Sequence, residues 1–163
     1  MLIEMTIKGL MLDPITNTPI VILKDKDGDR VLPIWVGLFE ANAIALQIEN
    51  VATPRPMTHD LLRNLIVELG LTVDRVVVTS LRENTFYAVI EMTAEDGEAM
   101  RLDSRPSDAI ALALRADCPI FVDAEVIQAS RNSIATDEET EATDETGEED
   151  WPDVIGDASD LPM

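Results

Sequence analysis

Two short segments that combine arginine, proline, hydroxyl and carboxylate side chains are the parts of this sequence best suited to chemistry. In the segment nearer the C-terminus, five polar residues surround the proline at position 106: Asp103, Ser104, Arg105, Ser107 and Asp108. Proline fits the first position of a helix, so a helix is predicted to begin here. The start of a helix presents unpaired N–H groups and a partial positive charge, and it therefore binds anions such as phosphate.

The second segment has the same character and contains a comparable set of residues: Arg55, Pro56, Thr58, His59 and Asp60. Thr58 is predicted to cap the helix that follows. His59 is the only histidine of the chain, and imidazole is the side chain that ordinarily gains or loses a proton near neutral pH. We expect the two helix starts to converge on one cleft that gathers four side chains: His59, Asp60, Arg105 and Asp108.

The elements that must position these residues are strands and helices in mixed order. Alternating apolar residues and turn residues predict strands at 1–8, 20–23, 31–36, 72–81, 85–93, 98–103 and 119–122. Helical spacing predicts helices at 37–50, 58–69 and 106–116, with a short one at 124–129. Most neighbouring strands are joined as hairpins. The predicted fold class is therefore α+β, with a mixed, mostly antiparallel sheet packed against three main helices.

Two of the helices carry patterns that predict how they pack. The helix at 37–50 contains Glu40 and has two apolar faces, so it needs a cover on both sides. We expect the sheet to provide one cover and either another helix or a second subunit the other, and the second case predicts a homo-oligomer. The helix at 58–69 has one apolar face that is expected to pack on the core, formed by Leu61, Leu62, Leu65, Ile66 and Leu69.

Composition limits the classes of protein to consider. The chain has 163 residues, one cysteine and a net charge of −20. It has no run of 18 apolar residues and no signal-peptide pattern, so no membrane association and a cytoplasmic location are expected. Residues 1–130 are predicted to form the domain. Residues 131–163 are strongly acidic and almost free of apolar residues before Trp151, which predicts a disordered tail.

Four motifs occur in an order that resembles the bifunctional nuclease (BFN) domain family. They are Leu-Pro-Ile-Trp-Val-Gly at 32–37, Arg-Pro-Met-Thr-His-Asp-Leu-Leu at 55–62, Asn-Thr-Phe-Tyr-Ala at 84–88 and Asp-Ser-Arg-Pro-Ser-Asp-Ala-Ile-Ala-Leu-Ala at 103–113. The resemblance covers about residues 2–130. It implies a compact α+β domain that tends to associate. It also implies hydrolysis of both RNA and DNA with little base preference, so RNA and DNA are the expected partners.

A nuclease built from these residues could work in two ways. His59 could act with Asp60, Asp108 and Arg105 as catalytic groups. Alternatively, carboxylates could hold Mg²⁺ or Mn²⁺, and the metal candidates are Asp103, Asp108 and Glu40. Guanidinium and hydroxyl groups suit phosphate, so the candidates for binding the substrate are Arg55, Arg63, Ser104 and Ser107.

Each of these residues also has a purely structural explanation. An acid in the first turn of a helix is stabilising by roughly 0.3–1 kcal/mol, and Arg55 or Arg105 could form ion pairs with Asp60 or Asp108. An acidic chain also repels nucleic acid. The alternative function is therefore a non-enzymatic oligomeric module that binds an anionic ligand or a partner protein.

The acidic tail supplies a testable prediction. Removing residues 132–163 should raise nucleic-acid affinity or cleavage, most strongly at low salt, because negative charge near the site repels phosphate. Filter binding at low and high salt measures the effect. Replacing Trp151 and Ile155 by alanine, with every charge kept, tests whether the tail instead docks in the cleft of Arg55 and Arg105. Unchanged binding after truncation would show that the tail has no influence.

Overall fold

A seven-stranded sheet forms the framework of the structure, a computed structural model that describes the backbone of residues 1–141 and the side chains of residues 1–137. The strands are β1 (Leu2–Leu12), β2 (Pro19–Asp25), β3 (Val31–Trp35), β4 (Leu71–Arg82), β5 (Thr85–Ala94), β6 (Ala99–Ser104) and β7 (Ile120–Asp123). Their order across the sheet is β3-β2-β1-β7-β4-β5-β6. Only β4 and β7 pair in parallel, and the other neighbours are antiparallel. The predicted α+β class with a mixed, mostly antiparallel sheet is confirmed.

Four helices complete the described part of the chain. They are α1 (Leu38–Ile48), α2 (Thr58–Glu68), α3 (Pro106–Ala116) and α4 (Ala124–Glu141). None of them is long and apolar enough to cross a membrane. The buried centre of the helical layer is α3, which contacts α1, α2, β4 and β5. Ile110 and Leu112 are fully buried there, and alanines at 109, 111 and 113 let the neighbouring elements approach closely.

Two elements extend further than the sequence predicted. The first strand continues from residue 8 to Leu12 because a register shift between Ile7 and Gly9 lets it stay paired with β2. The last helix was expected at 124–129 and runs to Glu141. Residues 130–141 contain no glycine or proline, so the loss of apolar content at Asn132 does not end the helix. The domain boundary at residue 130 stays a prediction, and the predictions for the tail beyond Glu141 lie outside the described residues.

The apolar faces of α1 and α2 are less covered than the sequence predicted. Along α1, Ala41, Ala43 and Ile44 are buried, whereas Leu38 and Phe39 are exposed. Along α2, the expectation of five packed apolar residues is wrong. Ile66 is buried and Leu62 packs partly against the core, but three leucines are exposed: Leu61, Leu65 and Leu69. The helical layer therefore stops short of the sheet margin, and an apolar surface remains open there.

The central position of α3 predicts the cost of weakening it. Ile110→Ala should lower the free energy of unfolding by about 2–5 kcal/mol, because it removes fully buried methyl groups and leaves a cavity. Chemical denaturation followed by circular dichroism measures this. Val67→Ala on the exposed side of α2 is the matched control and should change the stability by less than about 1 kcal/mol. Equal effects of both substitutions would contradict the assigned packing.

Candidate active site

The first turns of three helices meet at one place and exchange hydrogen bonds. Glu40 lies in the first turn of α1, His59 in that of α2 and Asp108 in that of α3, and Arg105 directly precedes α3. His59 Nε2 lies 2.8 Å from Asp108 Oδ1. Arg105 donates from Nε to Asp108 Oδ2 at 2.9 Å and from Nη2 to Glu40 Oε1 at 2.7 Å. We call these four side chains the His59 network. The sequence prediction that the two Arg-Pro helix starts converge is correct for His59, Arg105 and Asp108.

The hydrogen bond to Asp108 fixes how His59 can exchange protons. An ionised carboxylate only accepts hydrogen bonds, so Nε2 of His59 must carry the proton. The neutral ring therefore has its lone pair on Nδ1. The His59 side chain is 12% exposed. Within the described residues, every buried side-chain nitrogen or oxygen has a hydrogen-bond partner. His59 is thus oriented through Nε2, with the lone pair of the neutral ring on Nδ1.

Arg105 is held in place while most of its side chain remains in solvent. Its side chain is 67% exposed. The hydrogen bonds to Glu40 and then to Asp108 raise the pKa of Arg105 above its ordinary value. The guanidinium therefore stays charged at every working pH. Its Nη1 amino group remains available for a phosphate oxygen, since the two acids engage Nε and Nη2.

Asp60 was predicted to lie with His59, Arg105 and Asp108. It belongs instead to a different set of contacts. Its Oδ1 accepts a hydrogen bond from Arg115 Nε at 2.7 Å, and its Oδ2 accepts one from the Met57 N–H at 2.9 Å. Met57, rather than the predicted Thr58, is therefore the cap of α2. The bond from Met57 and the pairing with Arg115 lower the pKa of Asp60. These contacts hold the start of α2.

Arg115 is a residue that supports the site. Its side chain is 5% exposed. Besides Asp60, it donates to the carbonyl oxygens of Ala111 at 2.8 Å and Ala43 at 3.0 Å. It therefore connects α1, α2 and α3. The available signal was its place near the end of an otherwise apolar helix, where a buried guanidinium needs several acceptors.

The His59 network faces a cleft of about 960 Å³. Six of the predicted site residues line it: Glu40, His59, Asp103, Ser104, Arg105 and Asp108. The rest of the lining is largely apolar and includes Phe39, Met57, Leu61, Leu65 and Leu102. This apolar wall is not predicted from the sequence, because the spacing of Leu61 and Leu65 places them in the core.

The other predicted site residues lie elsewhere. Arg55 lines a separate pocket of about 310 Å³ together with Asp60 and Arg115. Arg63 lines a third pocket, of about 360 Å³. Ser107 is buried in α3. Unlike these three residues, Ser104 lies at the cleft. Its hydroxyl donates a hydrogen bond to the Arg105 carbonyl at 2.9 Å.

Two of the three candidate metal ligands are engaged in the His59 network. Within residues 1–137, no three His, Cys, Asp or Glu side chains are grouped so as to hold a metal ion. Both oxygens of Asp108 already have hydrogen-bond partners, and Glu40 is paired with Arg105. Asp103 is exposed on β6. A Mg²⁺ ion wants several unengaged oxygen ligands, so binding of Mg²⁺ or Mn²⁺ stays a prediction.

Comparison with known proteins places these residues in a family. The sequence profile of the bifunctional nuclease domain matches residues 21–135, which include α1, α2, α3 and the whole His59 network. The chain belongs to the bifunctional nuclease domain family. The family resemblance noted from the four motifs is thereby confirmed.

Individual relatives differ in their sequence identity to this chain and in how much of each protein is covered. An uncharacterized protein of Mycobacterium tuberculosis is 39% identical over 140 residues, which cover 86% of this chain and 83% of the relative. Bifunctional nuclease 1 of Oryza sativa subsp. japonica is 30% identical over 105 residues, 63% of this chain and 32% of the plant protein. Bifunctional nuclease 1 of Arabidopsis thaliana is 30% identical over 107 residues, 64% of this chain and 33% of that protein.

The contacts of Asp60 predict a pH-dependent effect on stability. Because its pKa is lowered on folding, Asp60 stabilises the fold above its ordinary value of 3.8, and this contribution is lost as the pH falls further. Asp60→Asn should therefore unfold more readily than the wild type at pH 7, and the two stabilities should approach each other below about pH 4. Urea denaturation from pH 3 to 7 measures the difference.

The matched control for Asp60 is Asp29→Asn, which removes an exposed carboxylate from the turn between β2 and β3. It should leave the stability profile close to that of the wild type. A stability difference between Asp60→Asn and wild type that stays constant from pH 3 to 7 would contradict the assigned contacts.

Proposed function

We propose that this chain hydrolyses phosphodiester bonds of RNA and DNA with little base preference. Membership of the bifunctional nuclease domain family supports the reaction class. The observation that carries the proposal is the hydrogen bond of His59 Nε2 to Asp108, at the edge of a cleft that also contains Arg105. A proton acceptor, an acid that orients it and a fixed cation are three groups that phosphodiester cleavage requires.

In this proposal His59 accepts a proton at Nδ1 from the attacking hydroxyl group. That group is a water molecule for DNA and RNA alike. As its oxygen bonds to phosphorus, the P–O bond to one sugar oxygen breaks, and that oxygen leaves with a proton from the His59 imidazolium or from solvent. Asp108 keeps the proton on Nε2 and stabilises the imidazolium that forms. Oriented bases of this kind typically contribute 10²–10⁴-fold to a rate.

Arg105 stabilises the negative charge that develops on the phosphate oxygens. Its bonds to Glu40 and Asp108 hold the guanidinium in place before the substrate arrives. Little reorganisation is then needed in the transition state, which is the main advantage of a fixed charge. Ser104 lies beside it, and its hydroxyl would have to leave the Arg105 carbonyl to donate to a second phosphate oxygen.

The lining of the cleft supports cleavage with little base preference. Apolar side chains such as Leu61, Leu65 and Leu102 contact bases without distinguishing their hydrogen-bonding edges. Phe39, at the margin of the cleft, offers an exposed ring for stacking, and base stacking tolerates every sequence.

A second candidate function is a non-enzymatic oligomeric module that binds an anionic ligand or a partner protein. Two observations favour it: the chain has a net charge of −20, and within the His59 network Arg105 is already paired with two acids. This alternative predicts that the chain binds oligonucleotides or another protein. It also predicts that the chain cleaves neither RNA nor DNA, with or without a metal ion.

Substitution at the His59 network tests the nuclease proposal. His59→Gln and Arg105→Gln should each lower the rate of cleavage of fluorescent single-stranded RNA and DNA by about 100-fold or more, because they remove the base or the fixed cation. Arg131→Gln removes an exposed arginine on α4 and is the matched control. Each protein is assayed with EDTA, Mg²⁺ or Mn²⁺.

The three metal conditions separate the mechanisms. Activity that persists in EDTA and disappears in His59→Gln supports the mechanism without metal. Activity that requires a metal and is retained in His59→Gln would transfer the role of activating the nucleophile to the metal and overturn the assignment of His59. Cleavage at the wild-type rate by both variants would place the active site elsewhere.

A further inference from the structure

We propose that a small pocket beside the cleft binds a second phosphate group of the nucleic-acid strand whose neighbouring phosphate lies at His59. The pocket lies between the end of α1 and the start of α2, and we call it the Arg55 pocket. Its volume is about 310 Å³, and its polar lining includes Gln47, Arg55, Asp60, Asn64 and Arg115. The proposal rests on the proposed function, since a strand held in the cleft is what would reach this pocket.

The Arg55 pocket and the cleft share one short backbone segment as a wall. Met57, Thr58 and His59 line the cleft, and the residues on both sides of them in sequence, Pro56 and Asp60, line the pocket. Neighbouring Cα atoms along a chain are about 3.8 Å apart, so little more than this segment separates the two cavities. A strand with one phosphate beside His59 can therefore cross the segment and place another phosphate in the pocket.

The two cavities carry net charges of opposite sign. One arginine and three acids line the cleft, so its net charge with a neutral histidine is 1 − 3 = −2. Two arginines and one aspartate line the Arg55 pocket, so its net charge is 2 − 1 = +1. The chain as a whole has a charge of −20 and repels phosphate. A positive pocket next to the cleft supplies the local attraction for a strand that the cleft lacks.

Arg55 is the cation of this pocket that is available to a ligand. The residue is exposed, and within residues 1–137 its guanidinium forms no ion pair or hydrogen bond. Its backbone is restricted, because prolines precede and follow it, and the Thr53 hydroxyl donates to the Arg55 carbonyl at 2.8 Å. A guanidinium on a restricted backbone can bind a phosphate through two parallel hydrogen bonds.

The other polar groups of the pocket favour an anion over a cation. The Asp60 carboxylate accepts hydrogen bonds from Arg115 Nε at 2.7 Å and from the Met57 N–H at 2.9 Å. Its charge is therefore already balanced by the buried arginine. The amide side chains of Gln47 and Asn64 also line the pocket and can donate to phosphate oxygens.

The size of the pocket suits a phosphate together with its sugar. A volume of about 310 Å³ is near the lower limit of ligand pockets. Leu46, Val51 and Pro54 provide apolar lining, against which the carbon atoms of a sugar can pack. Contacts to phosphate and sugar position a strand but carry no sequence information. The pocket would therefore add affinity for every sequence, in agreement with the little base preference proposed for cleavage.

Binding of single strands at several salt concentrations tests the proposal. The His59→Gln chain serves as the background, so that the strand remains intact, and fluorescence anisotropy measures its affinity for DNA of about eight nucleotides. Arg55→Gln should weaken binding about tenfold, because it removes charge-assisted hydrogen bonds. It should also lower the slope of log affinity against log salt by about 0.7, the value for one phosphate of a single strand. Arg55→Lys keeps the charge and should keep the slope.

Gln47→Glu provides a second variant of almost unchanged shape. It places a carboxylate in the pocket and should weaken binding by about threefold or more, because like charges then face each other. The matched controls are Gln128→Glu and Arg131→Gln, which make the same charge changes at exposed residues of α4. They should have much smaller effects, because they act only through the long-range field. Far-ultraviolet circular dichroism verifies that each variant is folded.

A cleavage assay in the otherwise wild-type chain relates the pocket to the length of the strand. A dinucleoside monophosphate has a single phosphate and cannot occupy the cleft and the pocket together. Arg55→Gln should therefore leave kcat/KM for this substrate unchanged. For the longer strand, the same substitution should raise KM with little change in kcat, since it removes binding that the ground state and the transition state share.

The outcomes distinguish the Arg55 pocket from the nuclease proposal. Absence of cleavage in every chain, with binding that still depends on Arg55 and Gln47, would overturn the nuclease proposal and support the pocket. Cleavage by the wild-type chain, with both pocket variants binding as well as their α4 controls, would overturn the pocket and leave the nuclease proposal standing. The pocket is also overturned if the background chain binds no strand at low salt, or if Arg55→Gln lowers kcat/KM equally for the short and the long substrate.

Discussion

The buried guanidinium of Arg115 is the contact on which the arrangement of the helices depends. It bonds Asp60 at the start of α2, the Ala43 carbonyl of α1 and the Ala111 carbonyl of its own helix. A buried charge is tolerated only when its donors are satisfied. These acceptors come from three helices, so the guanidinium is satisfied only when the helices are correctly placed. The correct placement of the helices in turn brings Glu40, His59 and Asp108 within reach of one another.

The His59 network uses the helix starts that Arg115 aligns. Three helix N-termini contribute partial positive charge at one place, and an acid in the first turn of each helix offsets it: Glu40, Asp60 and Asp108. Asp60 and Asp108 then serve different ends, because one faces a buried arginine and the other faces the cleft. Asp60 and Asp108 have similar sequence surroundings but different places in the fold. Asp60 pairs with the buried Arg115, and Asp108 lies at the candidate site.

Much of the fold could be predicted from the sequence, because strand alternation and turn residues are local signals. The convergence of His59, Arg105 and Asp108 was also predictable, since proline and polar residues mark both helix starts. The partner of Asp60 was not, because Arg115 lies 55 residues away and the pairing depends on helix packing. The exposure of Leu61 and Leu65 was hidden for a related reason. A leucine stripe identifies an apolar face but does not show whether anything covers it. The length of α4 was not predicted, because the loss of apolar residues at Asn132 suggested the end of ordered structure. Helix propensity alone permits the extension to Glu141.

The position of β7 has a consequence for the order in which the chain can fold. Within the described sheet, β7 lies between β1 and β4 and is the strand that joins the meander β1–β3 to the meander β4–β6. Each meander consists of contacts close in sequence and can form early, whereas closure of the sheet must wait for residues 120–123 to emerge from the ribosome. Until then the two meanders are not joined in one sheet, although α1 and α3 contact each other directly in the folded chain. The sheet is therefore completed only when a four-residue strand, synthesised after α3, is inserted between the two meanders.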